Sequence, residues 1–119
     1  MINKAIKLAL KSKQKNKFNL CAIITDKKGN VVSIGYNSYS KTHTTQAYYA
    51  EKSGNIHRIF LHAEIDALTK IPYGIKGHSI YIARLDKSGK SALARPCPIC
   101  RMALQDANIK NIYYTQGKE

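Results

Sequence analysis

The stretch RPCPIC, Arg95 to Cys100, gathers two of the chain's three cysteines and two of its three prolines into six of 119 residues. Cysteines three apart at the first turn of a helix point the same way, and Pro98 suits the first helical position, where a missing N–H costs nothing. Two thiols so placed can hold a metal ion. A redox C-x-x-C pair competes with that reading, although its usual cue is a thioredoxin-like βαβ context and it gives no role to a histidine. Either way a helix starts here. CPICRMALQDANI (97–109) reads as that helix, and NIYYT (111–115) as a strand after it.

Working back from this point, LDKSGKSA reads as a loop and HSIYIARL (78–85) as a strand of the buried type. LHAEIDALTK (61–70) carries Leu61, Ile65 and Leu68 at helical spacing, with Pro72 and Gly74 to stop the helix. Strands alternating with helices imply a parallel portion with right-handed crossovers. Before it, FNLCAIIT (18–25) and VVSIGYN (31–37) flank the turn DKKGN as a hairpin, with Cys21 a small buried hydrophobe. Residues 2–14 read as an amphipathic helix with Ile2, Ile6, Ala9 and Leu10 on one face and Lys4, Lys7, Lys11 and Lys15 on a solvated one. Between Asn37 and Leu61 the chain is polar and aromatic, with a short helix expected from about 45 to 52 and ended by Gly54. A connection this long is usually functional. The expected architecture is α/β, one domain over 1–119, with a mixed sheet and helices on both of its faces.

Twenty Lys and Arg against seven Asp and Glu give a formal net charge of +13, a field that attracts anions and makes nucleotide or nucleic acid the natural partner. An AT-rich genome would produce a similar composition. The odd cysteine count, the absence of an apolar leader at the N-terminus and the lack of any run beyond LCAII (20–24) point to a reducing cytoplasm and away from a membrane.

A second motif completes the first. Catalytic zinc takes three protein ligands and keeps one position for water, so His62 with Cys97 and Cys100 would make a full set. A structural finger would want a fourth ligand nearby, and His43, His57 and His78 read as loop or surface residues. His62 and Glu64, two apart, can converge only if the metal lies over the N-terminal end of their helix. Two helix N-termini would then aim their positive ends at the site and favour thiolates. Glu64 is better used there as a proton carrier than as a fourth ligand.

H-x-E followed by P-C-x-x-C, here His62-Ala63-Glu64 and Pro96-Cys97-Pro98-Ile99-Cys100, is the signature of zinc-dependent nucleobase deaminases. On these motifs the chain resembles the cytidine deaminase superfamily, and within it the CMP/dCMP deaminase branch with its small phage-encoded members, from the hairpin to the last strand. The resemblance implies a three-layer α/β/α sandwich whose mixed sheet joins an antiparallel hairpin to parallel strands. It implies Zn2+ on His62, Cys97 and Cys100, with Glu64 shuttling protons. It further implies a sugar contact at Asn37, Ala63 among the substrate contacts, and a homo-oligomer. Many relatives continue into a further helix and strand, so the fold is expected to be truncated at the C-terminus, with the lost wall missing or supplied by another subunit.

The expected reaction converts the cytosine of dCMP or CMP to uracil. Ile65 directly after the first motif also occurs in tRNA adenosine deaminases, so base identity rests on the branch. For a 5′-phosphate, Lys41, His43, Arg58 and Arg95 are the candidates by charge and nearness to the motifs. Single-stranded DNA or RNA is the alternative substrate, with Tyr36, Tyr39, Tyr48 and Tyr49 as stacking platforms, although Tyr48 or Tyr49 could equally pack the short helix onto the core. A zinc-containing nucleic-acid-binding module without turnover is a third reading, against which Glu64 argues.

Overall fold

The computed structural model describes residues 1–12, 19–38, 44–52, 54 and 62–116. Its elements are α1 (Ile2–Lys11), β1 (Asn19–Thr25), β2 (Val31–Tyr36), α2 (Thr44–Lys52), α3 (Ala63–Thr69), β3 (Ser79–Leu85), β4 (Ser91–Ala92), α4 (Pro98–Asp106) and β5 (Asn111–Tyr114). Asn19–Leu85 through Thr25–Ser79 pair β1 antiparallel to β3, and β2 lies antiparallel on the other side of β1. The far edge of β3 is shared: its first half, Ser79–Ile82, pairs parallel with β5, and Arg84–Leu85 pair antiparallel with β4.

Thr115 makes the join. Its N–H donates to Ile82 O at 3.0 Å, and its Oγ1 accepts the Arg84 N–H at 3.1 Å and donates to Ala92 O at 2.6 Å. Its own carbonyl accepts the Ala94 N–H, so the ladder passes from one short strand to the other without a break. The expected parallel portion is therefore one pair, β3 with β5, joined through α4.

The stretch 85–92, expected as a loop, is the turn of the β3–β4 hairpin. Asp86 Oδ1 accepts the N–H groups of Ser88 and Lys90, and Gly89 adopts φ +85. The DKKGN turn is built alike, with Asp26 Oδ1 accepting from Lys28 and Asn30 and Gly29 at φ +91. Both carboxyls are held below their usual range by these donors, led by Asn30 N–H for Asp26 and the Ser88 hydroxyl for Asp86. Asp-x-x-Gly at the same spacing signals the same turn twice.

Alternation along the strands sorts the core into two layers. Ala22, Ile24, Ile80 and Ile82 face Ala63 and Ala67 of α3 and Leu104 of α4. Cys21, Ile23, Ala83 and Leu85 face Ala5 and Ala9 of α1. Leu10, expected on the buried face of α1, is 59% exposed. The contact line is instead Ala5 and Ala9, whose methyl groups let the helix lie close on β1 and β3, with Ile6 and Leu8 at its margins. Lys15 lies outside the described residues.

On the opposite layer α3 presses on β2 at Gly35. A Cβ there would fall against the Ala67 amide nitrogen and the Ala63 carbonyl oxygen, and 2.8 Å from Ala67 Cα. Only glycine permits this approach. Asp66 locks it: its Oδ2 accepts the Tyr36 N–H at 2.9 Å, which β2 as an edge strand leaves without a ladder partner, and pairs with Lys70 Nζ at 2.8 Å. The first turn of α3 is thus held rigidly against the sheet. No helix among the described residues is long and apolar enough to cross a membrane.

Candidate active site

Each of the two motif helices begins at a candidate ligand. His62 is the residue before α3, with extended backbone (φ −88, ψ 153), and makes no side-chain cap. Its carbonyl accepts the Asp66 N–H at 2.9 Å, so the helix starts on its backbone while its ring is left for the site. Cys97 stands in the same position before α4 (φ −71, ψ 168), with Pro98 at the first helical position and Arg101 N–H donating to Cys97 O at 2.9 Å. The two helix N-termini meet over one cluster.

His62 Nδ1 lies 3.3 Å from Cys100 Sγ and 3.6 Å from Cys97 Sγ, and the three donor atoms all fall within 4.8 Å of one another. Zinc bonds of about 2.3 Å to sulfur and about 2.0–2.1 Å to nitrogen, set at tetrahedral angles, separate an N from an S by about 3.5 Å. The donor set fits zinc: two soft thiolates and one imidazole at the required separations. The thiols are already divided in role. A hydrogen bond from Cys100 favours the Cys97 thiolate and pulls its pKa down against the opposing effect of burial, while that same bond and burial push Cys100 well up.

Glu64 is 4% exposed. Burial pushes its carboxyl above the usual range, and it interacts with the Cys100 thiol within the field of His62 and Cys97. Its Oε1 has no hydrogen-bond partner among the described residues. A buried acceptor left so costs about 1–3 kcal/mol unless a ligand or water meets it. His62 immediately precedes α3 and Glu64 stands in its first turn, beside the Cys100 thiol.

One contributor escaped the sequence. Gln46 of α2 is fully buried and its Oε1 accepts the backbone N–H of His62 at 3.1 Å. A glutamine in TTQAYYAEK gives no local signal that it will serve a residue 16 positions away. Beside it Tyr49 packs against Ile65, Cys100 and Ala103 and donates its hydroxyl to Asp106 Oδ2 at 2.7 Å. That tyrosine fastens α2 to α4, whereas Tyr48 is 57% exposed.

The other expected contacts divide. Asn37 follows β2 directly, and its Oδ1 accepts the Leu20 N–H at 3.0 Å, which ties that end of the side chain to β1. Ala63 is fully buried in the sheet-facing core, with its carbonyl oxygen turned to Gly35. Arg95 is exposed just before the Cys97 loop. Lys41, His43, Arg58, His57 and Tyr39 lie outside the described residues. His78 Nδ1 is 3.2 Å from Ser79 Oγ and has no place in the cluster.

Comparison with known proteins agrees with this geometry. Residues 1–116 match the family described as "Cytidine and deoxycytidylate deaminase zinc-binding region". Among solved structures, a mutant cytidine deaminase from Mycobacterium tuberculosis superposes with a TM-score of 0.57 at 17% identity, covering 98% of this chain and 83% of the other. The cytidine deaminase of Mycobacterium leprae gives 0.56 at 17% identity, covering 93% and 86%. At such identity these structures bear on the fold alone. No curated protein sequence matches the chain significantly.

Proposed function

Because the chain belongs to the cytidine and deoxycytidylate deaminase zinc-binding family, we propose that it is a hydrolytic deaminase that converts the cytosine of a nucleotide, dCMP or CMP, to uracil with release of ammonia. The observation that carries this reading is Glu64, a buried carboxyl with an orphan oxygen beside a three-ligand donor set. A metal-binding module without turnover has no use for it. The family's description, which names cytidine and deoxycytidylate, favours cytosine over adenine as the base.

His62, Cys97 and Cys100 would hold the zinc, which when bound supplies water activated for attack near neutral pH. Glu64 would accept the proton of that water at a carboxylate oxygen and pass it to the ring nitrogen next to C4 as the C4–O bond forms. It would then deliver the second proton to the amino group, so that the C4–N bond breaks and ammonia leaves. Water and cytosine are consumed; uracil and ammonia result. The enzyme is thus a hydrolase acting on a C–N bond of a cyclic amidine. Burial of Glu64 excludes bulk water from these transfers, and α3, locked on Gly35 and Asp66, fixes the carboxyl relative to His62.

A second reading, deamination of cytosine in single-stranded DNA or RNA, is favoured by the net charge of +13. One experiment tests both. Zinc-loaded protein and its Glu64→Ala variant are given CMP, dCMP, cytidine, deoxycytidine and a cytosine-containing single-stranded oligonucleotide together, and mass spectrometry follows replacement of the amino group by oxygen. Conversion of free nucleotide supports the leading reading, and conversion of the oligonucleotide alone supports the second. Undiminished turnover by the zinc-loaded Glu64→Ala protein would overturn the mechanism.

A further inference from the structure

At the end of the sheet away from the metal cluster, three segments of chain meet at Gly77 and His78. The His78 N–H donates to Thr25 O at the end of β1, and the His78 carbonyl accepts the Lys110 N–H just before β5, both at 2.8 Å. Ile24 and Ile109 close on Gly77 from the two neighbouring segments, 2.8 and 3.0 Å from the place a Cβ would take. The turn between β1 and β2, the loop between α3 and β3 and the start of β5 therefore share one surface. The whole length of α3, about 10 Å, separates that surface from His62.

This surface is basic and carries one projecting aromatic ring. Lys27 and Lys28 stand in the β1–β2 turn, Lys76 precedes Gly77 and Lys110 precedes β5. All four are exposed, and none of their ammonium groups has an ion-pair partner among the described residues. The acids of this end are engaged: Asp26 by the amides of its own turn, Asp66 by Tyr36 and Lys70, and Asp106 by Tyr49 and Lys52. Between the lysines, Pro72–Ile75 forms a closed turn in which Ile75 N–H donates to Pro72 O at 3.0 Å and Gly74 takes φ +84. Tyr73 at its corner is fully exposed and stacks on no other ring among the described residues, while Ile75 beside it is exposed too. The ring adds nothing to the core, yet a hydrogen-bonded turn holds it out to solvent.

We propose that this surface holds single-stranded nucleic acid, with a base stacked on Tyr73 and neighbouring phosphates met by Lys28, Lys76 and Lys110. Every base has a π-face and every nucleotide a phosphate, so an open ring among separate cations takes a strand without reading its sequence. Lysine suits that task, being a point charge on a flexible stem. The C-terminal, negative ends of α3 and α4 point this way, so the attraction comes from the lysines and not from helix termini. An anionic bilayer fits less well, because Tyr73 and Ile75 are two side chains against the long apolar stripe by which a helix lies in a membrane interface. The metal centre, at the other end of α3, stays open while the strand is held. The proposal makes no use of the deaminase reading.

Fluorescence anisotropy of a labelled oligothymidylate tests this on the zinc-loaded full chain, because thymine has no amino group to lose and turnover cannot enter the signal. For the wild type, log affinity should fall linearly with log salt. Lys28→Ala/Lys76→Ala/Lys110→Ala should make that slope shallower by about 2, at about 0.7 for each phosphate contact of a single strand. Lys11→Ala/Lys87→Ala/Lys90→Ala removes the same charge from the opposite end of the sheet and should leave the slope nearly unchanged. Tyr73→Ala should weaken binding about 5- to 100-fold, and Tyr73→Phe, which keeps the ring, should bind like the wild type. All these positions are exposed, and circular dichroism checks the fold of each variant. Equal changes of slope in the two lysine variants would show diffuse charge alone and overturn the proposal, as would undiminished binding by Tyr73→Ala. Vesicles containing phosphatidylserine are the second probe. Tyr73-dependent sedimentation with them, beside oligonucleotide binding that ignores Tyr73, would assign the surface to a membrane and overturn the proposal as well.

Discussion

The backbone N–H of His62 donates to Gln46 Oε1 across 3.1 Å, and Gln46 is completely buried. This bond joins α2 to the residue that opens α3, and so fixes the main chain of a candidate zinc ligand from outside the motif that contains it. Metal sites depend on such outer partners almost as much as on the ligands, because they hold each ligand in its bonding orientation.

Replacing Gln46 by Leu should therefore weaken zinc binding by about 10- to 100-fold while the protein stays folded. Competition with a chromogenic chelator measures the affinity, and circular dichroism checks the fold. Gln46→Glu, which keeps an acceptor oxygen at the same reach, should recover most of the affinity. Equal affinities in wild type and Gln46→Leu would mean that the bond merely satisfies a buried donor.

Gly35 tests the contact that sets the height of α3. Gly35→Ala would force a methyl into the backbone of Ala63 and Ala67, which unlike a flexible side chain cannot swing aside. The cost should be roughly 3 kcal/mol or more, at the upper end for overpacking. Gly29→Ala should cost only about 1–2 kcal/mol, since its site is open and the penalty is that of a left-handed backbone alone. Urea unfolding midpoints give the comparison, and similar losses at both positions would contradict the close approach.

Thiol chemistry should separate the three cysteines. In metal-free protein Cys97, half-buried and favoured as thiolate, should react with iodoacetamide far faster than Cys21 or Cys100, both fully buried. Zinc should protect Cys97, and chelation should restore its reactivity. Mass mapping of the alkylated peptides reads this directly; modification of Cys21 in the folded protein would refute the packing described for β1.

Cys21 also predicts an alkaline limit to stability. Burial, against a smaller opposing hydrogen bond with Tyr36, pushes its thiol up to about 12 from 9.0. The folded state thus holds a proton that the unfolded chain releases near pH 9. Its contribution is complete below pH 9 and is lost as the pH rises towards 12, at about 1.4 kcal/mol per pH unit. Cys21→Ala should be less stable at neutral pH but show a shallower decline above pH 9 in denaturant titrations. Parallel declines would remove Cys21 from the account.

Features encoded in a few neighbouring residues were legible before the structure. The periodicity of β1, β2, α3, β3 and α4 follows from which side chains must turn inward. The two ligand helices followed from His62 and from the Pro96–Cys100 stretch, because caps and first-turn prolines act over one helical turn. The repeated Asp-x-x-Gly turn is equally local, yet the second copy passed as a loop because β4 is only two residues long. Leu10 misled for the opposite reason: its apolarity is local, but its exposure depends on how closely Ala5 and Ala9 bring α1 to the sheet.

By itself the sequence determined the donor types at His62, Cys97 and Cys100, the carboxyl of Glu64, and an α/β order of elements, since each depends on residue chemistry or short-range spacing. Tertiary structure alone decided that Gln46 reaches His62, that Gly35 takes the backbone of α3, that β4 and β5 divide one edge of β3 at Thr115, and that Tyr73 stands among the lysines of three segments. Those relationships join residues brought together by the packing of whole elements. Hydrogen bonds and close contacts of that kind are fixed by the relative placement of helices and strands, which no local pattern of side chains specifies.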